Sequence, residues 1–222
     1  MPGATTSSSP AATRTSCAKS KKANPGVRAY ELDVDDPAAI GAFAERVVED
    51  FASLNVLLNN AGIMRAEALQ GGGTGTAEAT VVTNLLGPIR LTAALLPHLL
   101  SRPKAAVLTV SSGLAFLPRA VAPAYCATKA AIHSYTQSVR VQLRGTPVEV
   151  IELVPPYVQT ELMSPQQATD PNAMPLADYI SETMALLEEN PEADEILVKR
   201  VHFQRYAERE GRYRESFARV NG

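Results

Sequence analysis

Apolar residues recur along the chain with two periods, and segments of the two kinds alternate. Short apolar runs between turn residues predict strands, whereas apolar residues three and four positions apart predict amphipathic helices. In chain order the pattern predicts a strand over 27–34, a helix from Asp36-Pro37 to Phe51, a strand over 55–58, a helix over about 78–100, a strand over 105–110, a helix over about 124–144, a strand over 148–154, a helix over 176–189 and a strand over 195–201. This alternation predicts an α/β fold with a doubly wound parallel sheet covered on both faces.

The first 23 residues differ in composition from the rest of the chain. They are rich in Ser, Thr and Ala, and they contain no Val, Ile, Leu, Phe, Tyr, Asp or Glu. Such a segment cannot bury enough apolar surface to offset the entropy lost on ordering. We therefore predict a low-complexity, disordered segment over 1–23 and one folded domain over 24–222. A transit peptide is the less favoured alternative, because one Arg and no large aliphatic residue make a poor amphipathic helix.

The composition of the whole chain excludes several classes of function. The 222 residues carry a formal net charge of −2 and are 45% hydrophobic, which suits one soluble domain rather than a basic nucleic-acid-binding surface. No uninterrupted apolar run approaches about 18 residues, so we expect neither a membrane nor a nucleic acid as partner. No metal-ligand spacing links Cys17, Cys126, His98, His133 and His202, so we expect no metal site, and a reducing cytoplasmic location fits the two distant cysteines.

Tyr125 and Lys129 are the first residues whose spacing suggests chemistry. They lie four positions apart in the predicted helix 124–144, so both side chains emerge on one face about one turn apart. An ammonium beside a phenol favours the phenolate and would lower the pKa of Tyr125 toward a useful range for proton transfer. The pair alone is weak evidence, because a Tyr and a Lys on a helix are usually an amphipathic flank.

Two further polar residues lie where they could assist this pair. Ser112 follows the strand predicted over 105–110 and precedes Tyr125 by 13 residues. Its hydroxyl would hydrogen-bond a substrate carbonyl oxygen as negative charge develops there. Asn84, in the predicted helix 78–100, would hold a relay water against Lys129.

Together the polar motifs form a pattern that is far more specific than any one of them. They occur in the order Asn59-Asn60-Ala61-Gly62, Asn84-x-x-Gly87, Ser111-Ser112-Gly113, Tyr125-x-x-x-Lys129 and Pro155-Pro156-Tyr157-Val158-x-Thr160. In this combination, residues 24 to about 220 resemble the short-chain dehydrogenase/reductase family. Pro156 replaces the Gly that is more usual in the last motif, which we interpret as a subfamily feature.

The resemblance implies a role for each matching catalytic position. Tyr125 would be the catalytic acid/base, and Ser112 would orient the substrate carbonyl. Lys129 would lower the pKa of Tyr125 and hold the nicotinamide ribose, and Asn84 would support a proton relay. The reaction implied is hydride transfer between a nicotinamide cofactor and a small-molecule carbonyl or secondary alcohol.

The resemblance also implies a set of cofactor-binding residues and an assembly. Besides Tyr125 and Lys129, the implied cofactor contacts are Asp33, Asn60, Ala61, Gly62, Val158 and Thr160. The cofactor would be NADP or NAD, with NADP slightly preferred, and the predicted helices 78–100 and 124–144 would form a homo-oligomer interface. Without the family pattern, Asp33 has an alternative reading as a cap at the end of a strand.

One element of the family pattern is absent from the sequence. Members of the family open with a strand, a Gly-x-x-x-Gly-x-Gly turn and a helix that hold the cofactor pyrophosphate, and no such motif occurs here. We therefore expect a Rossmann-like sheet that lacks the first βαβ elements, leaves 27–34 without its family partner and exposes the edge of 55–58. Three hypotheses follow: a mis-started chain, a catalytically impaired remnant without cofactor, and an enzyme whose sheet a partner chain completes.

Overall fold

The computed structural model describes residues 4–5 and 26–222, which form two parallel sheets. Strands β1 (Ala4–Thr5) and β2 (Arg28–Ala29) form a two-stranded sheet. The central sheet has the order β3-β4-β5-β6 and consists of β3 (Val56–Asn59), β4 (Ala105–Val110), β5 (Val148–Leu153) and β6 (Glu195–Ile196). All its strand pairs are parallel, as the alternating pattern predicts.

Helices connect the strands close to the positions that apolar spacing predicts. They are α1 (Pro37–Asp50), α2 (Gly75–Val81), α3 (Gly87–Leu100), α4 (Pro123–Gln142), α5 (Leu176–Glu189), α6 (His202–Arg205) and α7 (Tyr213–Asn221). Helix α1 begins where Asp36-Pro37 predicts, because the Asp36 carboxylate accepts a hydrogen bond from the Ala38 amide at 2.8 Å. A π-helical turn, Val82–Leu86, joins α2 to α3.

The two faces of the central sheet carry separate hydrophobic cores. Alternate side chains of a strand point to opposite faces, and β5 follows this rule. Val148 and Val150 pack with buried residues of α1 and α3 and with the partly buried Val139 of α4, whereas Ile151 and Leu153 pack with Ile196 and with α5. The prediction of a sheet covered by helices on both faces is confirmed for the described residues.

Helix α3 owes its apolar composition to this packing. With α2 it forms a continuous helix over Gly75–Leu100 whose mean hydropathy reaches 1.4, enough by length and composition to cross a membrane. The core helix of a soluble domain meets the same criterion. Leu91, Leu95 and Leu99 are buried against the sheet, so the core accounts for their presence.

The N-terminal part of the fold differs from the expectation. Of the predicted strand 27–34, only Arg28–Ala29 forms strand pairing. Its partner is β1, whereas the sequence predicts a segment without its family partner. Tyr30, Leu32 and Val34 still alternate with exposed residues and are buried in the core. The apolar residues of this segment therefore mark core positions even where no strand pairing is present. Residues 4–5 of the predicted disordered segment form β1, and the rest of 1–23 lies outside the described residues.

Two other predicted features meet different outcomes. Among the described residues β3 pairs with β4 alone, and Val56 and Leu58 are about half exposed, as expected for an uncovered edge. The strand predicted over 195–201 is wrong beyond Ile196. Its later apolar residues, Val198 and Val201, are buried through a single helical turn instead of a strand.

The core of α3 can be tested with two neighbouring leucines. Leu99 is fully buried, whereas Leu100 is 39% exposed. We expect Leu99→Ala to lower the free energy of unfolding by about 2–5 kcal/mol through lost burial and an unfilled cavity. Leu100→Ala is the matched control and should cost less than about 1 kcal/mol. Equal losses in urea unfolding would contradict the packing described for α3.

Candidate active site

Ser112 lies immediately beyond the carboxyl end of β4. Its backbone is extended, and its hydroxyl accepts a hydrogen bond from the Leu114 amide at 3.1 Å, which caps a short helical turn over Gly113–Ala115. A Cβ at Gly113 would overlap the Gln204 side chain and approach Val201 within 2.9 Å. Gly113 therefore allows Val201 and Gln204 to pack closely against the turn that follows Ser112.

Tyr125 occupies the first turn of α4 and faces Ser112. Helix α4 begins at Pro123, which suits a first helical position because it lacks an amide hydrogen. Burial raises the pKa of Tyr125 to about 12, while a hydrogen bond between its hydroxyl and that of Ser112 acts in the opposite direction. The expected lowering by Lys129 is therefore wrong for this structure, because the loss of solvent around the phenol is the larger effect.

Lys129 lies one turn further along α4 with its ammonium group fully enclosed. Its Nζ donates a hydrogen bond to the Val110 carbonyl at 2.7 Å and lies 5.6 Å from the centre of the Tyr125 ring. Burial lowers the pKa of Lys129 to about 8, and the negative charge of Glu152 opposes that shift. Near neutral pH this amine therefore exchanges its proton far more readily than a surface lysine.

Asn84 lies in the π turn between α2 and α3, and its side chain is fully buried. Its amide group donates to the Ile63 carbonyl at 2.9 Å, and its Oδ1 accepts from the Ile63 amide at 2.8 Å. The Nδ2 group also lies 3.3 Å from the Thr128 hydroxyl on α4. The π turn thus fastens the segment after β3 to the helix that carries Tyr125 and Lys129.

Gly62 is the point at which these elements meet. A Cβ built there would lie 3.4 Å from Asn84 Oδ1 and 3.9 Å from Lys129 Nζ. The structure therefore brings Gly62, Asn84 and Lys129 into one small region, next to Tyr125 and Ser112. The predicted proximity of Asn84 to Lys129 is present, and the predicted relay water stays a prediction.

Comparison with known proteins decides the family. The family model described as short chain dehydrogenase matches residues 4–171, about three quarters of the chain. The chain belongs to the short chain dehydrogenase family. The match to this family begins at residue 4, earlier than the resemblance that starts at residue 24.

Individual relatives support the same family. An uncharacterized oxidoreductase, DltE, of Bacillus subtilis is 43% identical over 150 residues, covering 65% of this chain and 58% of that protein. A short chain dehydrogenase of Burkholderia cenocepacia, solved in complex with NADP, is 25% identical with a TM-score of 0.74, covering 89% of this chain and 82% of that one. A short-chain dehydrogenase of Streptomyces avermitilis has a TM-score of 0.80 at 22% identity, covering 96% and 85% of the two chains.

The matches span only part of the curated relatives. They cover between 39% and 58% of the length of those proteins. Family membership and the Rossmann-like α/β fold are thus established for this chain.

A small cavity lies beside two of the residues that the family resemblance assigns to the cofactor, Asn60 and Ala61. A cavity of about 20 Å³ is lined by residues at the ends of β3 and α3 and by the segment before α1, among them Val34, Asn60, Ala61 and Gly87. Gly87 permits this approach, because a Cβ there would lie 3.1 Å from the Val34 carbonyl oxygen. The Asp33 side chain is exposed and accepts a hydrogen bond from the Asp35 amide at 2.9 Å, within the turn that precedes α1. Because β2 ends at Ala29, the alternative reading of Asp33 as a cap at the end of a strand is wrong.

The segment after β5 is held by a residue that the sequence patterns did not reveal. Gln167 is buried, and its Nε2 donates to the Val158 carbonyl at 2.8 Å and to the Thr160 hydroxyl at 3.1 Å. Its Oε1 accepts from the Met163 amide at 3.1 Å. Gln167 therefore fixes the path of both residues that the family pattern assigns to the cofactor. No periodicity marks it, because it acts within a loop.

A second set of polar side chains also escaped the sequence patterns. His133 and Glu195 approach Glu152, and one ligand atom from each lies within 4.8 Å of the others. His133 thus hydrogen-bonds a buried carboxylate, which its spacing in the sequence does not indicate. Its partners lie 19 and 62 residues further along the chain, so only the strand order brings them together.

The half of a nicotinamide dinucleotide site that faces Lys129 fits the residues present. Gly62 provides a backbone surface that a larger residue would narrow, and the Tyr125 and Ser112 hydroxyls and the Lys129 amine converge beside it. For the pyrophosphate, the described residues contain no Gly-x-x-x-Gly-x-Gly turn. The fit therefore rests on the ribose and nicotinamide side.

The buried state of Lys129 makes a prediction about stability. Its folded pKa of about 8 is below the ordinary 10.5, so between these values the unfolded chain binds more protons than the folded chain. The free energy of unfolding attributable to Lys129 therefore rises with pH across this window. Relative to Lys129→Met, the wild-type protein should gain about 2 kcal/mol between pH 7 and pH 10.

This prediction is checked by denaturant unfolding at several pH values. Lys104→Met is the matched control, because that side chain is 73% exposed beside Glu149. The difference in free energy of unfolding between wild type and Lys104→Met should change little between pH 7 and pH 10. If the free energy of unfolding of wild type relative to Lys129→Met stays constant or falls as pH rises, the burial of the ammonium is contradicted.

Proposed function

We propose that this protein is an NAD(P)-dependent oxidoreductase that interconverts a carbonyl and a secondary alcohol. The observation that carries the proposal is the convergence of Ser112, Tyr125 and Lys129 at the carboxyl end of β4. Their order and spacing match the family pattern, and their contacts give each a chemical task. The substrate is a small molecule.

Tyr125 acts as the proton donor in carbonyl reduction. With a pKa of about 12 it is protonated at neutral pH, so it is ready to give a proton to the oxygen of a bound carbonyl. The Ser112 hydroxyl stabilises the negative charge that develops on that oxygen. In alcohol oxidation the proton moves back to Tyr125.

Lys129 supports this transfer from the side opposite the substrate. Its ammonium stabilises the phenolate left after Tyr125 has given its proton. Because its own pKa is about 8, Lys129 can pass a proton on at neutral pH. Asn84 orients the neighbouring backbone of Ile63 and closes the site on the side of Gly62.

The cofactor supplies or accepts the hydride at its nicotinamide ring. Tyr125 and Lys129 would hold the nicotinamide ribose, while Asn60, Ala61 and Gly62 would line the dinucleotide. Val158 and Thr160 would meet the nicotinamide amide and a phosphate, and Asp33 would lie at the adenine end. We favour NADP over NAD, since the Burkholderia cenocepacia neighbour is a complex with NADP.

A second candidate is a non-catalytic family member that has lost cofactor binding. The observation in its favour is that no Gly-x-x-x-Gly-x-Gly turn occurs in the sequence. The intact set of Ser112, Tyr125, Lys129 and Asn84 favours the enzyme instead, because an interaction module has no use for a buried lysine beside a buried tyrosine. We also propose a homo-oligomer through α2, α3 and α4, and a cytoplasmic location.

The proposal is tested by replacing one hydroxyl. Tyr125→Phe removes the proton donor and leaves the buried ring in place, so carbonyl reduction with NADPH should fall by about 100-fold or more. The assay follows NADPH oxidation with a panel of aldehydes and ketones. Tyr135→Phe is the matched control on the same helix and should keep wild-type turnover. Undiminished turnover in Tyr125→Phe would refute the assigned role.

A further inference from the structure

Glu152 is a carboxylate buried completely inside the domain. It lies on β5, opposite Thr109 of β4, and its side chain has no exposed surface. The residue after Thr109 is Val110, whose carbonyl oxygen accepts the hydrogen bond from Lys129. Glu152 and Lys129 are therefore at the same level of the sheet, beneath α4.

His133 anchors this carboxylate from the same helix face that carries the proposed catalytic residues. Tyr125, Lys129 and His133 follow one another at four-residue steps along α4. His133 Nδ1 lies 2.7 Å from Glu152 Oε2, and its ring packs edge-on against Phe116. The second carboxylate oxygen, Oε1, is buried and has no hydrogen-bond partner among the described residues.

An unbonded buried carboxylate oxygen is costly unless a positive charge stabilises it. Arg205 is already engaged by Glu195, with N–O distances of 2.8 and 3.0 Å. Arg205 also interacts electrostatically with Glu152. A second cation whose charge interacts with this carboxylate is the buried Lys129.

We propose that Glu152, held by His133, is a positioning residue that keeps the Lys129 amine in its charged form beside Tyr125. The proposal rests on the proposed function for its catalytic consequence. Glu152 itself touches neither substrate nor cofactor and acts through Lys129. The groups described around this cation are the Val110 carbonyl from β4, Tyr125 from its own helix and, through its charge, Glu152 from β5. His133, Glu195 and Arg205 lie around the carboxylate.

The physical reason is a balance between burial and attraction. Burial favours the neutral amine, and the Glu152 charge favours the ammonium, so the pKa of Lys129 stays at about 8 instead of falling further. Without the carboxylate, the pKa of Lys129 would fall further, so a larger fraction of the amine would be neutral near pH 7. A neutral amine stabilises the Tyr125 phenolate less and has no spare proton to return.

The direct test titrates Lys129 itself and does not depend on activity. Protein labelled with 13C and 15N in its lysines is followed by NMR from pH 6 to 10, with Lys129→Arg used to assign the signal. In Glu152→Gln the Lys129 midpoint should fall by about one pH unit or more. In Glu149→Gln, which removes an exposed carboxylate from the same strand, it should stay at the wild-type value. An unchanged midpoint in Glu152→Gln would overturn the proposal.

Two further variants keep the test decisive. Glu152→Met also removes the charge but needs no hydrogen-bond partner, so it replaces Glu152→Gln if that variant does not fold. Glu152→Asp keeps the charge and should restore most of the wild-type midpoint. Recovery by Met instead of Asp would show that side-chain volume alone matters, and it would overturn the proposal. A midpoint that responds to Zn²⁺ or to EDTA would also overturn it, since the cluster would then be a metal site.

Kinetics separate this inference from the proposed function. If wild type reduces carbonyls, Glu152→Gln should lose roughly fivefold in kcat/KM at pH 8 and almost nothing at pH 6, because Lys129 is protonated in both proteins at the lower pH. A uniform loss at both values would indicate structural damage and overturn the positioning role. If wild type shows no turnover, the proposed function fails, while the NMR midpoints still decide the interaction between Glu152 and Lys129.

Discussion

A buried ammonium group is the constraint on which the site depends. Lys129 Nζ is enclosed between α4 and the ends of the sheet strands, and it donates to the carbonyl of Val110. This contact fixes the distance from the first turns of α4 to the end of β4. Tyr125 precedes Lys129 by one helical turn, and Ser112 follows Val110 by two residues. The contact between Lys129 and Val110 therefore brings Tyr125 and Ser112 together.

Neighbouring elements are shaped around the same group. The π turn that contains Asn84 fastens the backbone of Ile63, which keeps Gly62 close to the amine. On the other side, Gln167 holds the loop of Val158 and Thr160 by three hydrogen bonds. These buried polar groups are largely bonded to backbone, so they order loops that carry little apolar surface of their own.

The chain pattern predicts much of this arrangement because its signals are local. Helix α5 and strand β4 have the predicted bounds, since their apolar spacing and flanking turns are clear. Tyr125 and Lys129 are found from a four-residue spacing, and Ser112 from its place after a strand. The described residues bring these side chains together as the family resemblance implies.

Other features are not readable from local signals. The high pKa of Tyr125 comes from its burial in the folded domain, so an argument from spacing alone predicts the wrong direction. Glu152 and His133 meet only because β5 lies beneath α4, and one buried Glu in a strand has no pattern of its own. The partner of Arg28–Ala29 could not be predicted, because Ala4–Thr5 is only two residues long and lies in a Ser- and Thr-rich segment without a strand-like apolar pattern.

The central claim is that the enclosure around Lys129 and Tyr125 receives the ribose and nicotinamide of a dinucleotide. The most direct measurement is a titration of the 222-residue chain with NADPH and NADH, following the fluorescence of the cofactor because the protein contains no Trp. The account predicts saturable binding that is weakened in Lys129→Met. A folded sample that gives no saturable signal with either cofactor would contradict it.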